Sequence, residues 1–312
     1  MIVPGDWTLF FKIKGWSLAW SVVFINIFVY IFSVLFFSSW HTETLQKQLQ
    51  DRNFTESLVK MYRQTLDTTE KNIRTEITYQ DVLQDHRFWA ALKKFPFTGD
   101  QIQIEKARNL LFDFKEQYYN SSQFQLGLGL IESSPWAWVT YQFSHASWWH
   151  LIGNIIIVFL LISYLETRVE LFYIVTVYLF GGFCGGIAFL FLDGAGSLSV
   201  VGASASAMAL MSFLLISQVN EVMPWSYFIG PFKQGYGVIH LPVFFILPFF
   251  VLHDLIDVVF NTAGVTSSVA NSAHIGGALA GLILGLMWKL NKTNQKFFCF
   301  LNSFEFKQKQ DF

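Results

Sequence analysis

The sequence is short of charge and of cysteine, and each shortage excludes a class of protein. Asp, Glu, Lys and Arg together make up 14% of the 312 residues and leave a formal net charge of −1, so there is no electrostatic footprint for nucleic acid. Two cysteines, Cys184 in an apolar run and Cys299 in the tail, give no disulfide framework. The glycine run Gly181-Gly182-Phe183-Cys184-Gly185-Gly186 does not follow a strand, so it reads as helix packing and not as a phosphate loop. No metal or nucleotide motif occurs in residues 40–134, and no cofactor is expected. No inverted repeat is visible, which argues against a transporter.

What the sequence has is apolar surface: 53% hydrophobic and 18% aromatic residues, more than a soluble globule of this length can bury. The chain reads as an all-α, polytopic, integral membrane protein with the lipid bilayer as its surroundings. Six spans are expected: Leu18 to Phe37, a second ending near Leu165, Val169 to Leu192, Ser199 to Val219, Val238 to Phe260, and Ala270 to Leu290, each near the ~20 residues that cross a bilayer. The first run is longer than a signal-peptide core and lacks a small-x-small cleavage site.

Between the first two spans the composition turns polar. In residues 40–134, Leu45, Leu49, Leu58, Met61, Tyr62, Leu66, Ile73 and Ile77 recur at helical intervals, and Ala107, Leu111, Phe114 and Tyr118 form a second stripe. A possible capping box runs from Asp100 to Gln103, and Arg87 to Leu92 reads as a short helix before Pro96. This is a helical extramembrane insertion. The expected divisions are therefore 1–39 (N-terminal segment and first span), 40–134 (insertion), 135–290 (membrane core) and 291–312 (tail).

Arg168, Lys233 and the terminal Lys12, Lys14, Lys289, Lys292 and Lys296 fall on one side of this topology, while the opposite short loops carry only Asp193. The positive-inside rule places both termini in the cytoplasm and the insertion outside, in an arrangement that suits a bacterial cytoplasmic membrane.

Four residues then fall at matching depth below the outer surface. Ser204 lies in a small-residue stretch at the start of span four, and His274 lies near the start of span six. An ionisable side chain within a span is costly and points to function, and a serine beside a histidine makes a nucleophile and base. His150 and Asn154, one turn apart at the start of span two, present N–H donors that a developing oxyanion needs. Ser206 faces away from Ser204 and reads as packing, and His145 as a residue that orders the aromatic interface before span two. His253, Asp254 and Asp257 read as solvated charges at the end of span five, and Glu166 and Arg168 as interfacial anchors.

Taken in order, His150-x-x-x-Asn154, Gly202-x-Ser204 and Ala273-His274-x-Gly276-Gly277-x-x-x-Gly281 resemble the motifs of the rhomboid family of intramembrane serine proteases. The resemblance covers the six spans and implies a rhomboid-like helical bundle, with Ser204 as nucleophile, His274 as general base and then acid, and His150 and Asn154 as the oxyanion-stabilising pair. It further implies transmembrane protein substrates, cleaved near the outer ends of their membrane segments and admitted beside span five. That span carries Pro242, Pro248, Phe244, Phe245, Phe249 and Phe250. Oligomeric state is left open.

Two positions depart from the family pattern. Ala205 follows the nucleophile where the family has glycine, which costs about 1 kcal/mol if that position needs positive φ and nothing in a regular helix. Met208 stands where an aromatic ring often supports the histidine, and a thioether also packs on imidazole. The alternative that these departures keep open is a catalytically inactive rhomboid-like protein that binds transmembrane clients.

Overall fold

Backbone geometry follows the hydropathy pattern through most of the chain. The computed structural model describes residues 2–9, 17–37, 47–48, 50–66, 77, 82, 86–129, 134–192, 199–228, 236–245 and 271–308, with side chains at all of these but 2, 3, 86, 87, 118, 228 and 294–308. The protein is mostly helical. Its residues form two compact units, one of Met1–Phe28, Ser147–Phe189 and Gly202–Phe312, the other of Val29–Ala146 and Leu190–Val201.

Among the described residues, four helices are long and apolar enough to cross a membrane: α1 (Leu18–Phe36), α7 (Trp148–Leu165), α8 (Leu171–Leu192) and the first part, Asn271–Thr293, of α10 (Asn271–Gln308). The chain is an integral, multi-pass membrane protein. Phe28, Leu35, Phe36, Phe172 and Phe191 stay exposed, as side chains facing lipid do. A shorter apolar helix, α9 (Ser204–Ser217), is buried from Ala205 to Leu215. Its 14 residues extend roughly 21 Å, less than the hydrocarbon thickness of roughly 30 Å. The expected fourth span thus begins at Ser204 and not at Ser199. Val201 to Ala203 lead into it as buried, non-helical backbone, which is tolerated at membrane depth where protein encloses it.

The fifth expected span departs from expectation at its start. Residues Val238 to Pro242 are not helical but lie in strand β3 (Tyr236–Pro242), which pairs antiparallel with β2 (Val222–Phe228); β2 pairs in turn with β1 (Ile2–Pro4). Apolarity alone does not separate strand from helix in so short a run. β-branched Val238 and Ile239 fit a pleated surface, and β2 supplies the hydrogen bonds. A single 3-10 turn, Val243–Phe245, follows. The rest of that span, including Pro248, Phe249, Phe250, His253, Asp254 and Asp257, lies outside the described residues.

Contacts at one end of the first unit fix the up–down order of its helices. Leu18 N–H, an orphan donor at the start of α1, donates to Glu166 Oε1 at the end of α7 (2.5 Å), a cap that also neutralises the helix dipole. Glu170, just before α8, accepts from Trp288 Nε1 (3.0 Å) and from Lys292 Nζ, and Asn291 donates to the Tyr173 hydroxyl (3.2 Å). At β1, the buried Ser226 hydroxyl donates to Gly5 O (2.7 Å) and accepts from Trp7 N (2.8 Å). The Arg168 guanidinium covers the Tyr164 ring at 3.8 Å. So the chain start, the α7–α8 turn, the sheet and the basic end of the α10 span share one level.

The second unit contains the insertion, built on α2 (Arg52–Thr65), α3 (His86–Ala91) and α4 (Gln101–Tyr119). Both apolar stripes turn inward: Leu58, Met61, Tyr62 and Leu66 bury with Ala107 and Leu111, and Ile77 and Phe114 pack against them. Leu45, Leu49 and Ile73 are outside the described residues. Half of the capping box forms, Asp100 Oδ1 accepting from Ile102 N (2.9 Å) and Gln103 N (3.4 Å). After α5 (Ser122–Leu126), Leu128 makes an isolated antiparallel bridge to Val200, with N–H···O distances of 3.0 and 2.9 Å. The short helix α6 (Ala137–Thr140) closes this unit's smaller apolar cluster around Leu128 and Tyr141.

Candidate active site

Glycine decides how closely α9 and α10 can pack. A Cβ on Gly277 would lie 2.1 Å from the Ala205 carbonyl oxygen, one on Gly281 2.1 Å from that of Ala209, and one on Gly285 3.0 Å from that of Phe213. Each step of four along α10 meets a step of four along α9, so the two helices run parallel with backbones in contact, as small-xxx-small spacing permits. Their N-terminal ends therefore coincide in level. Ser204 is the first residue of α9 and His274 the fourth of α10, one turn before Gly277. Side chains on a helix tilt toward its N-terminus, which carries the His274 imidazole toward the Ser204 end. Both residues are partly exposed.

The other flank of α9 is set by Gly202. Its φ is +128°, a region that side-chain-bearing residues rarely adopt. A Cβ there would lie 2.8 Å from Cε1 and Nε2 of His150 and 3.7 Å from Nδ2 of Asn154. Glycine at this place thus serves both the turn into α9 and the close approach of α7. His150 is the third residue of α7, whose start is capped by Ser147, the hydroxyl accepting from His150 N (3.2 Å). His150 and His274 are near enough to interact electrostatically. Three helix starts meet here, and each contributes a residue singled out from the sequence.

The first backbone N–H groups of α9 have no acceptor within the helix, and Ala203, preceding it, supplies no capping side chain. Asn154, buried, donates Nδ2 to His150 O at 3.0 Å. That carbonyl also takes the ordinary helical bond from Asn154 N, so the side-chain hydrogen can leave it for a stronger anionic acceptor at small cost.

Ala205 sits at the second position of a regular helix, where its methyl group costs nothing, and the positive φ falls instead on Gly202. Met208 and Ser206 are buried in α9. His145 is buried in the second unit, its Nδ1 3.2 Å from Phe143 O. The Gly181–Gly186 run packs helices, with a Cβ on Gly181 falling 2.1 Å from that of Ala209. One contributor was missed in the sequence, Gly285, which continues the four-residue glycine spacing; Gly276 of the quoted motif packs against Cys184 O and Ala188 of α8.

Among known proteins, the family model for the rhomboid domain matches residues 132–290. Rhomboid-related protein 1 of Caenorhabditis elegans is 30% identical over 166 residues, covering 53% of this chain and 43% of that protein. The chain thus spans less than half the length of this curated relative. With a match across just over half of its residues, including every helix that meets at Ser204, the chain belongs to the rhomboid family.

Proposed function

We propose that the protein is an intramembrane serine protease that hydrolyses peptide bonds of membrane-anchored proteins, using Ser204 and His274 with His150 and Asn154 as oxyanion donors. The observation that carries this reading is the parallel, glycine-mediated contact of α10 with α9, which levels the histidine with the helix start that bears the serine. In the proposed reaction His274 removes the Ser204 hydroxyl proton as Oγ attacks the substrate carbonyl carbon. The resulting oxyanion takes hydrogen bonds from the α9 N-terminus, Asn154 and His150. His274 then returns the proton to the departing amine, and a water, deprotonated by the same imidazole, hydrolyses the acyl-enzyme.

We further propose that both termini face the cytoplasm. Arg168, Lys289 and Lys292 gather at the end of the first unit that holds β1, as the positive-inside rule requires of a cytoplasmic face. The competing reading is a client-binding protein without activity; the regular helix at Ala205 supports the protease reading over it.

The test is labelling by a serine-directed fluorophosphonate in native membranes, paired with cleavage of a model transmembrane substrate. Wild-type protein should label and cleave, and Ser204→Ala should do neither. Labelling that survives Ser204→Ala, or a wild type that neither labels nor cleaves, would overturn the proposal.

A further inference from the structure

A polar side chain in α1 belongs to neither the fold's end contacts nor the residues assigned above. Asn26 sits in the middle of a 19-residue apolar helix, 2% exposed. An uncompensated carboxamide at that depth is expensive. Its Nδ2 donates to Val22 O at 2.7 Å, a bond within its own helix. Its Oδ1 is buried and has no hydrogen-bond partner among the described residues.

Asn26 lines a crevice between α1, α7 and Ala203, the residue before Ser204. The other lining residues are apolar, with one exception, Asn154. The crevice is too narrow to hold a water molecule, so solvent cannot satisfy the oxygen there. Asn154 has two Nδ2 hydrogens, and one is given to His150 O. Tyr178 of α8 is another polar neighbour of Asn26 and lies on the donor side of its carboxamide, which has a second Nδ2 hydrogen to give, so it does not compete for Oδ1.

We propose that Asn26 is a positioning residue whose Oδ1, unpartnered among the described residues, closes across the crevice onto one N–H of the Asn154 carboxamide and so turns the other toward the oxyanion. The catalytic part of this rests on the protease reading; the side-chain pairing does not. In the resting protein the second hydrogen stays on His150 O. During turnover the oxyanion takes that hydrogen while Asn26 holds the amide plane in place. α1, which contributes none of the proposed reacting groups, thereby acts on the reaction through Asn154.

The experiment uses the full chain in micelles with asparagine side chains labelled with 15N, the Asn154 signal being identified as the one lost in Asn154→Ala. Asn26→Leu keeps the apolar bulk and removes the acceptor, and Asn26→Gln retains a carboxamide. The Asn154 side-chain amide resonance should move in Asn26→Leu and move less in Asn26→Gln. On a model transmembrane substrate, Asn26→Leu should lower kcat about fivefold to tenfold, the effect of one hydrogen bond, with KM unchanged. Combined with Asn154→Ala it should cause no further loss. An unmoved Asn154 resonance, or losses that add in the double variant, would overturn the proposal. A moved resonance in a wild type that neither labels nor cleaves would support the pairing while the protease reading falls.

Discussion

Gly277 of α10 lies against Ala205 of α9 so closely that a single added carbon would come within 2.1 Å of the Ala205 carbonyl oxygen. The proposed nucleophile is the residue before Ala205 and the proposed base is three residues before Gly277, so this contact sets the spacing between them. Gly277→Val should force the helices apart. Overpacking of this kind costs about 1–3 kcal/mol, and the displacement should lower fluorophosphonate labelling by tenfold or more, the order expected when a catalytic group is misplaced. Thermal unfolding in detergent separates the two effects, since labelling should fall at temperatures where the variant is still folded. Full labelling in Gly277→Val would mean that α10 tolerates the shift.

His150 and Asn154 meet Gly202 from α7. If each supplies an oxyanion donor, Asn154→Ala and His150→Ala should each lower kcat by about 10² to 10³ with little change in KM. Steady-state cleavage of a transmembrane substrate checks this. Gly202→Ala should be as damaging, because it combines strained backbone with a methyl group 2.8 Å from the imidazole.

Much of this site was legible in the sequence because chemistry fixed residue types at helical spacing: His150 with Asn154 one turn on, and His274 one turn before Gly277. Small residues at 277 and 281 reported the backbone contact, since only glycine admits it. The positive φ of Gly202 was not legible, because a glycine's identity does not state its conformation. Nor was β3, where Val238 to Pro242 satisfy the hydropathy of a span as well as that of a strand, and the deciding partners, β2 and the chain start, are distant in sequence. Nor was the meeting of Asn26 and Asn154 at one crevice, because a lone asparagine in an apolar run does not state which helix it faces.

The Glu170 carboxyl is held at about 2, from an ordinary 4.5, chiefly by the hydrogen bond from Lys292 and then by that from the Trp288 indole. A carboxyl lowered in the folded state stabilises the fold fully above its unfolded value and loses that contribution as pH falls toward its folded value. Stability supplied by this clamp should therefore be complete above pH 4.5 and fade between 4.5 and about 2. The pair is half exposed, so the effect is modest and shrinks with added salt. Unfolding temperature against pH in detergent should show a shallower acid limb for Glu170→Gln than for wild type, and identical limbs would count against the clamp.

The insertion should prove separable from the chemistry, though with a nearer boundary than its polar composition marks. Its core closes on itself through α2, α3 and α4, and all four proposed active-site residues follow it in the chain. Its last part differs: Leu128 exchanges two backbone hydrogen bonds with Val200, and a Cβ on Gly127 would come within 2.9 Å of Ser199 Cβ. Val200 leads directly into Gly202 and Ser204. Replacing residues 43–119 with a short flexible linker keeps α5 and this bridge, and should leave Ser204 labelling within a few fold of wild type. Extending the replacement through Leu128 removes the bridge, frees the segment before Gly202 and should lower labelling further by roughly the fivefold to thirtyfold that two lost hydrogen bonds imply. Equal labelling in the two variants would show that Val200 needs no partner, and loss of labelling in the shorter replacement, with membrane insertion intact, would show that the helical core of the insertion itself supports the active site.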